Sequence, residues 1–212
     1  MTFALITGIF GGYDTLKPLD PSLEIDEAIC VTDDPKLTAE GWRTVVEEPR
    51  GRPIIQAKRP KMMPWLYTDH EFSMWIDGAM QLVSTPPIQE ATKATGLAAF
   101  THHHGRKHWA DEAEFSAGLA RYAHLPFSRQ VRLYKSLGVG PGLWACGILL
   151  RRHTEMVRVH GETWLSEVLN WGEQDQISFP YACHFSRTWP TSLDRFGTVT
   201  GNPWTVWRGH LK

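Results

Sequence analysis

Three polar clusters in the sequence follow apolar runs and contain groups that could contact a ligand. They occupy residues 8–14 ("GIFGGYD"), 32–34 ("TDD") and 77–78 ("DG"). The glycines would let a ligand approach the backbone closely, and a carboxylate such as Asp33 could bind the edge of a base or a ribose. Each cluster alone could equally be a turn or a helix cap, because Asp and Gly are frequent in both.

A basic run at residues 49–61 ("PRGRPIIQAKRPK") is rich in charge for a chain whose formal net charge is −1. Its cations are Arg50, Arg52, Lys58, Arg59 and Lys61. Lys58 and Lys61 are three residues apart, a spacing that places both amines on one face of a helix. Such a run is usually a solvated surface, but it could also bind a diphosphate or a polynucleotide.

Two further segments contain groups suited to acid–base chemistry or metal binding. In "EQDQISF", Glu173 and Asp175 stand at the predicted start of a helix, where the helix dipole favours carboxylates. They could simply cap that helix. A carboxylate there with an ordinary pKa could also act as a general base or anchor a substrate hydroxyl. His102 and His104 could form a metal pair, but no second cluster of matching spacing accompanies them, which argues against a metal site there.

Common catalytic signatures are missing from the sequence. The loop at 8–14 has neither the G-x-G-x-x-G spacing of a dinucleotide site nor the G-K-[ST] of a Walker loop. No G-x-S-x-G elbow, kinase set or H-E-x-x-H motif is present. The chemistry must therefore be inferred from scattered groups and from the elements that bring them together.

Alternating apolar runs and amphipathic segments predict those elements. The predicted strands are residues 2–7, 28–34, 42–48, 72–77, 96–103 and 143–152. The predicted helices are 54–66, 87–95, 106–137 with a break at Pro126, 155–171 with a weak point at Gly161, and one that begins within 173–185. This alternation indicates an α/β fold with a mostly parallel sheet. Ligands of such sheets bind outside the carboxyl ends of the strands, so we expect residues 11–14, Asp33 and Asp77 to line one cleft.

Length and composition suit a single globular domain over residues 1–212. A pI of about 6.8 does not favour nucleic acid or an anionic membrane as partner. The sequence has no apolar run of membrane-spanning length, and its three cysteines form no C-x-x-C pair, so we expect a cytoplasmic protein. Ten tryptophans could build a thick core or present flat surfaces on which rings stack.

Seven stretches occur in the order found in a glycosyltransferase-like family that includes plant mucilage-related proteins and many bacterial and viral chains. They are "TGIFGGYD", "VTDD", "AKRPKMMP", "SMWIDGAMQL", "HHGRKHWADEA", "GILLRRH" and "EQDQISF". The resemblance runs from Ile6 to about Phe179, and "WIDG" with the later "DQ-S-F" is its most specific part. The family is similar to nucleotide-sugar transferases of the GT-A fold. The resemblance therefore implies a single Rossmann-like domain that transfers a sugar, above all from a uridine diphosphate (UDP) sugar, to a hydroxyl acceptor.

The resemblance also implies roles for individual residues. Those implied for donor binding are Gly11, Gly12, Tyr13, Asp14, Asp33, Lys58, Lys61, Asp77, Gly78, His103 and Arg106. Within this set Asp33 is expected at the nucleoside, Lys58, Lys61 and Arg106 at the diphosphate, and Asp77 at a ribose or a metal. Glu112 and His153 are implied on the acceptor side. Asp175, as the carboxylate that takes the acceptor proton, and Gln176 are implied in catalysis.

The metal, the acceptor and the activity itself leave alternatives open. GT-A enzymes usually bind a divalent ion, manganese or magnesium, through D-x-D, but Ala79 occupies the third position here. Asp77 could hold the ion with water and phosphate, and His210 could be a further ligand. The acceptor could be a glycan, a small molecule or a modified nucleic-acid base. The alternative function is a non-catalytic nucleic-acid or carbohydrate-binding module that uses the basic run at 49–61 and exposed aromatic side chains.

Overall fold

The computed structural model describes residues 3–210, which form a seven-stranded sheet, a separate two-stranded sheet and seven α-helices. The strands are β1 (Phe3–Ile9), β2 (Glu27–Thr32), β3 (Arg43–Val46), β4 (Phe72–Ile76), β5 (Met80–Leu82), β6 (Leu97–Thr101), β7 (Trp144–Arg152), β8 (Thr191–Ser192) and β9 (Thr205–Trp207). The helices are α1 (Pro53–Gln56), α2 (Lys58–Met62), α3 (Ile88–Thr92), α4 (Trp109–Ala117), α5 (Phe127–Ser136), α6 (Glu155–Trp171) and α7 (Asp175–Ser186). Within this range no helix combines the length and the hydropathy needed to cross a membrane.

The large sheet has the strand order β3-β2-β1-β4-β7-β6-β8. β3, β2, β1 and β4 pair in parallel, and Ile6 of β1 lies opposite both Ile29 of β2 and Trp75 of β4. β7 is antiparallel to β4 and to β6, its two neighbours. The prediction of an α/β fold with a mostly parallel sheet is confirmed. The reversal of β7, which the sequence did not indicate, brings the beginning of β7 to the edge where β4 ends.

Alternation along the central strands divides the apolar side chains between two cores. Phe3 and Leu5 of β1 pack into the core on one face of the sheet, and Ala4 and Ile6 pack into the core on the other. α3 and the segment after α7 contribute to the first core, and α6 and α7 contribute to the second, where Trp164 is fully buried. Because both faces are covered, the central strands read as nearly continuous apolar runs rather than as alternating ones.

Residues 54–66, predicted as one helix, form α1, α2 and a short 3-10 turn at Pro64–Leu66. Prolines cause these breaks. Pro60 lies in the first turn of α2, where its missing N–H removes no helical hydrogen bond. Met63, the residue before Pro64, leaves the helical conformation, with φ −127° and ψ 61°. Lys58 and Lys61 nevertheless stay one turn apart on α2, as their spacing predicts.

Several other predicted boundaries shift. The first strand continues through Gly8 to Ile9 instead of stopping before it, and the strand predicted at 96–103 ends at Thr101. The helical region predicted at 106–137 is two helices, α4 and α5, because residues 118–126 leave the α-helical path except for a 3-10 turn. The pairing of β5 with β9, which places the end of the chain beside residues 80–82, was not predicted.

Gly161 in α6 lets that helix pack directly against the end of α2. A Cβ atom at this position would lie 2.1 Å from the carbonyl oxygen of Met62 and 2.6 Å from the ring of Trp65. The predicted weak point of the helix is therefore a position of close backbone contact. That contact fixes α2, and with it the two lysines, against the second core.

We expect Gly161→Ala to destabilise the protein although alanine is the better helix former. Alanine gains about 1 kcal/mol of helix propensity. Forcing a methyl group into a closed contact costs about 1–3 kcal/mol or more, and here the opposing atom is backbone that cannot rotate away. Chemical denaturation should show a net loss of about 1–2 kcal/mol. Gly140→Ala is the control, because a Cβ there meets only ordinary contacts at 3.6 Å and beyond; equal stability of the two variants would contradict the prediction.

Candidate functional site

A cleft of about 520 Å³ opens at the edge of the sheet where β1 and β4 end. Its floor is built by Lys61 of α2, Asp77 after β4, and Cys146 and Gly147 of β7. The antiparallel course of β7 explains why the first residues of that strand, rather than its last, reach this edge. The site thus lies where ligands of open α/β sheets bind.

Lys58, Lys61 and Asp175 form a buried ionic triad on the α2 and α7 side of the cleft. The Nζ atoms of both lysines lie 2.8 Å from Oδ2 of Asp175. The side chains are 14%, 6% and 7% exposed, respectively, so water screens these charges little. The backbone carbonyl of Asp175 also accepts a hydrogen bond from the indole of Trp164 at 2.8 Å, which fixes the start of α7.

The triad changes the proton affinity of its members. Burial alone would raise the pKa of Asp175, but the ammonium groups of Lys58 and Lys61 outweigh it and lower that pKa to about 2. Burial would lower the pKa of Lys61, yet the carboxylates of Asp175 and Asp77 raise it above its ordinary value. The expectation that Asp175 keeps an ordinary pKa is wrong. A carboxylate with a pKa near 2 is a poor proton acceptor at neutral pH, so the assignment of Asp175 as a general base loses its basis.

Asp77 ends β4 and faces the cleft, with 39% of its side chain exposed. Its Oδ1 accepts a hydrogen bond from the indole of Trp75 at 2.8 Å and lies 3.4 Å from Nζ of Lys61. A Cβ at Gly147 would come within 3.2 Å of Oδ2 of Asp77. The glycine inside β7 therefore makes room for this carboxylate. Asp77 is a turn residue, since its carbonyl accepts from Met80 N–H, and its side chain also lines the cleft.

Asp14 and His210 meet on the opposite wall of the cleft. Asp14 is buried, and its Oδ2 lies 3.0 Å from Nδ1 of His210, whose ring packs on that of Tyr13 at 4.9 Å. The other oxygen, Oδ1, is buried without a hydrogen-bond partner among residues 3–210. Gly78 lies beside this carboxylate, and the Gly78 carbonyl accepts a hydrogen bond from the ammonium of Lys17 at 2.7 Å. An acceptor atom without a donor in a cleft is suited to a ligand hydroxyl or a cation.

Asp33 lies on the same edge of the sheet but outside the main cleft. Both of its carboxylate oxygens accept from Gly11 N–H, at 2.9 and 3.0 Å. Gly11 and Gly12 adopt φ of 65° and 61°, a conformation that side chains disfavour. The loop held in this way borders a mostly apolar cavity of about 400 Å³ against Pro53 and Ile54. Asp33 thus supports a loop that lines a second, adjoining cavity, and the expectation that residues 11–14, Asp33 and Asp77 line one cleft is wrong for Gly11, Gly12 and Asp33.

The predicted placement of three residues needs correction. Arg106 and Glu112 pair with each other, Nε to Oε2, at 2.5 Å, and neither lines the cleft. Glu112 is buried and also accepts from the amide of Gln174 at 3.0 Å, so it supports α7 rather than an acceptor. His153 contacts Ser73 at the beginning of β4, the opposite end of the strand from Asp77. No acceptor-side role follows from either position.

Gln176 and the histidine loop at 102–104 do line the cleft. Gln176 donates to the carbonyl of Trp144 at 3.1 Å. Burial lowers the pKa of His103, as does the neighbouring His104, whose ring centre lies 3.9 Å away. Within residues 3–210, no three His, Cys, Asp or Glu side chains converge to hold a metal ion.

Sequence reasoning missed further residues of the site. The cleft is also lined by Arg121, Tyr122 and Trp207. Glu173, which the sequence offers as a possible cap or base, lines the cleft too, and its carboxylate accepts from the Nη1 and Nη2 atoms of Arg52 at 3.0 and 2.7 Å. No local pattern predicts this pairing, because the two residues lie 121 positions apart in the chain.

The basic run at 49–61 is not a free cationic surface. Four of its five cations form ion pairs, namely Arg52 with Glu173, Lys58 and Lys61 with Asp175, and Arg59 with Glu47. Their three carboxylate partners offset three of the five positive charges of the run. A polynucleotide would have to displace these carboxylates to bind the run.

Two comparisons with known proteins agree with the resemblance in sequence. The sequence model of the family described as TOD1/MUCI70, glycosyltransferase-like domain, matches residues 31–199. The chain is also 28% identical over 155 residues to a protein of Arabidopsis thaliana named "Probable hexosyltransferase MUCI70". That match covers 65% of this chain and 26% of the relative, so the chain spans only about a quarter of the relative's length.

We expect Asp175→Asn to unfold the site rather than merely to slow a reaction. Asparagine caps a helix nearly as well as aspartate, but it leaves Lys61, which is buried, without its nearest counter-charge. Removing one partner of a buried ion pair costs about 3–5 kcal/mol. Chemical denaturation should show that loss, and adding Lys61→Met should recover part of it.

The exposed pair of Glu71 and Arg152, at 2.7 Å, supplies the matched control. Glu71→Gln should cost less than about 1 kcal/mol, because exposed ion pairs contribute little. If Asp175→Asn is no more destabilising than Glu71→Gln, the triad does not stabilise the fold.

Proposed function

The chain belongs to the TOD1/MUCI70 glycosyltransferase-like family, and from that premise we propose that its cleft binds a nucleotide-sugar donor and transfers the sugar to a hydroxyl acceptor. The observation that carries the proposal is the ionic triad beside Asp77 at the carboxyl edge of the sheet. The finer assignments, a GT-A-type enzyme and a UDP-sugar carrying a hexose, draw on the resemblance and on the relative's printed name.

The charges of the cleft suit a diphosphate. Glycosyl transfer breaks the bond between the anomeric carbon and a phosphate oxygen, forms the bond to the acceptor oxygen and releases the acceptor proton. Negative charge develops on the leaving diphosphate, and fixed cations nearby stabilise it. Lys58 and Lys61 share one carboxylate, so the triad keeps one net positive charge. Because the triad holds these side chains in place before the donor binds, little reorganisation is needed.

The cavity beside Asp33 suits the nucleoside. Its walls are mostly apolar, from residues 8–11 and from Pro53 and Ile54, and it adjoins the main cleft at Tyr13 and Asp14. A flat base would fill the apolar part. The diphosphate would then extend toward the triad, and the sugar toward Gln176 and His103. This placement uses the predicted donor residues that line the two cavities, and Gly12, Asp33 and Arg106 line neither of them.

A divalent ion is compatible with the residues present, although they form no closed cage. Magnesium in nucleotide sites is usually held by one or two carboxylates together with substrate phosphates. Asp77 faces the cleft, and the unpartnered Oδ1 of Asp14 beside His210 is a further oxygen available to a cation. An ion bound there would neutralise charge on the diphosphate. Since Asp77 offsets the net positive charge of the triad, we propose that manganese or magnesium assists donor binding.

The rival function, a non-catalytic binding module, has less support. A polynucleotide binder would need the basic run at 49–61, and four of its cations are engaged in ion pairs. A carbohydrate-binding module would not need the triad in its cleft. The donor experiment that follows separates these functions.

We expect UDP and at least one UDP-sugar to raise the melting temperature. A ligand at about a hundred-fold excess over its Kd stabilises the native state by about 2.7 kcal/mol, which amounts to several degrees for a chain of this size. The same sugar donor should be consumed with release of UDP. A protein that gains no stability from any nucleotide sugar, but binds a DNA oligonucleotide with steep salt dependence, would contradict the proposal.

We expect Asp77→Asn to weaken UDP binding mainly where manganese is present. The amide retains the turn but removes the charge that faces the ligand. Calorimetric titration of UDP into both proteins, with and without manganese, gives four affinities. The wild-type protein with manganese should bind UDP more tightly than in the other three cases. Asp69→Asn, on the exposed residue 69, is the control and should behave like the wild type. Four equal affinities would reduce Asp77 to a turn residue.

A further inference from the structure

Trp207 is set apart from the other tryptophans by its position at the cleft. Nine of the ten tryptophans are buried or half-buried, whereas Trp207 is 43% exposed. Trp207 lines the cleft. An aromatic surface of this size is normally covered. Because the exposed ring lies at the cleft, it is available to stack against a ligand bound there.

The backbone of Trp207 is fixed by hydrogen bonds, and its ring is only partly covered. The residue pairs with Met80 across the β5–β9 sheet, and Arg208 N–H donates to the carbonyl of Ala79 at 2.8 Å. The ring stands edge-on to His210, with centres 5.2 Å apart and planes at 88°. His210 in turn contacts Tyr13. The position of the Trp207 ring is therefore well defined, and His210 lies between this ring and the loop that borders the nucleoside cavity.

The surroundings of Trp207 select the kind of ligand that would cover it. A pyranose has one face of C–H groups and a rim of hydroxyls, so it can stack on an indole and hydrogen-bond at its edge. A nucleic-acid base could also stack, but its phosphates need cations, and the cationic run at 49–61 is largely paired. Arg208, the next residue in the chain, donates from Nε to Gln81 at 3.0 Å. A neutral sugar ring fits this surface better than a polynucleotide.

We propose that Trp207 is the acceptor platform, on which a sugar ring of a saccharide acceptor stacks. The inference rests on the proposed function and names the acceptor class for that site. It moves the acceptor side away from Glu112 and His153 to the wall formed by residues 205–210. This wall lies outside the segment 31–199 that the family model matches, so acceptor recognition is carried by a part of the chain that the model does not describe.

The test compares Trp207→Ala and Trp207→Phe with the wild-type protein, all saturated with UDP, on a microarray of neutral and acidic oligosaccharides. Truncating an aromatic side chain that anchors a ligand lowers affinity about ten-fold or more, so alanine should lose about that much for the saccharides that the wild type binds. Phenylalanine keeps a ring and should retain most of the binding. Phe185→Ala is the control, because Phe185 is 63% exposed on α7 and does not line the cleft; it should bind saccharides as the wild type does.

Two measurements separate a failure of this inference from a failure of the proposed function. Calorimetry with UDP reports the donor side, and the Kd for UDP should change less than about two-fold in Trp207→Ala, since the ring reaches the loop beside the nucleoside cavity only through His210. In protein labelled with ¹⁵N-tryptophan, the indole N–H signal that disappears in Trp207→Phe should shift when a bound saccharide is added.

Each outcome decides the inference. Saccharide binding that survives Trp207→Ala overturns the platform, and so does a wild-type protein that binds UDP but no oligosaccharide. Binding of a DNA oligonucleotide in place of saccharides overturns the acceptor class. A protein that binds neither UDP nor any UDP-sugar contradicts the proposed function. Saccharide binding through Trp207 would then belong to a carbohydrate-binding module, and the assignment of the ring to an acceptor would fall.

Discussion

Two ammonium groups share one buried carboxylate beside the cleft, and the charges of Lys58, Lys61 and Asp175 are tolerable there only together. Each ion left alone in a poorly hydrated site would cost several kcal/mol. The sharing fixes the distance between α2 and α7, because both lysines must reach Oδ2 of Asp175 at 2.8 Å. Much of the surrounding structure holds α2 and α7 at the distance that these contacts require.

Neighbouring contacts hold the two helices where the triad needs them. Arg151 of β7 is fully buried and donates from Nη2 to the carbonyl of Lys61 at 2.8 Å, which caps the end of α2. Burial lowers the pKa of this guanidinium to about 9. Gly161 admits α2 to close contact with α6, and Trp164 fixes the first residue of α7. The site is therefore supported from both sides by groups that touch no ligand.

The sequence predicted the parts of this structure that depend on local pattern. The buried parallel strands and α6 appear where apolar runs and amphipathic spacing indicate them, and the i, i+3 spacing of Lys58 and Lys61 correctly placed both amines on one side of α2. The sequence could not show that Asp175 is their partner, because the two segments are more than a hundred residues apart. The expectation of an ordinary pKa for Asp175 was wrong for the same reason, because a pKa depends on the groups that are neighbours in space. The direction of β7 and the pairing of β9 with β5 are likewise decided by tertiary contacts.

The β5–β9 sheet has a consequence for how the protein is made. Met80 pairs with Trp207, and Gln81 is hydrogen-bonded to Arg208, 127 residues later. A ribosome synthesises the chain from its N-terminus at about 5–20 residues per second. Several seconds therefore pass between the synthesis of β5 and that of its partner strand β9. During that interval β5 is an unpaired edge, and such edges favour association with other chains. Its three-residue length limits this hazard, and the cleft acquires the wall formed by residues 205–210 only after all of its other walls have been synthesised.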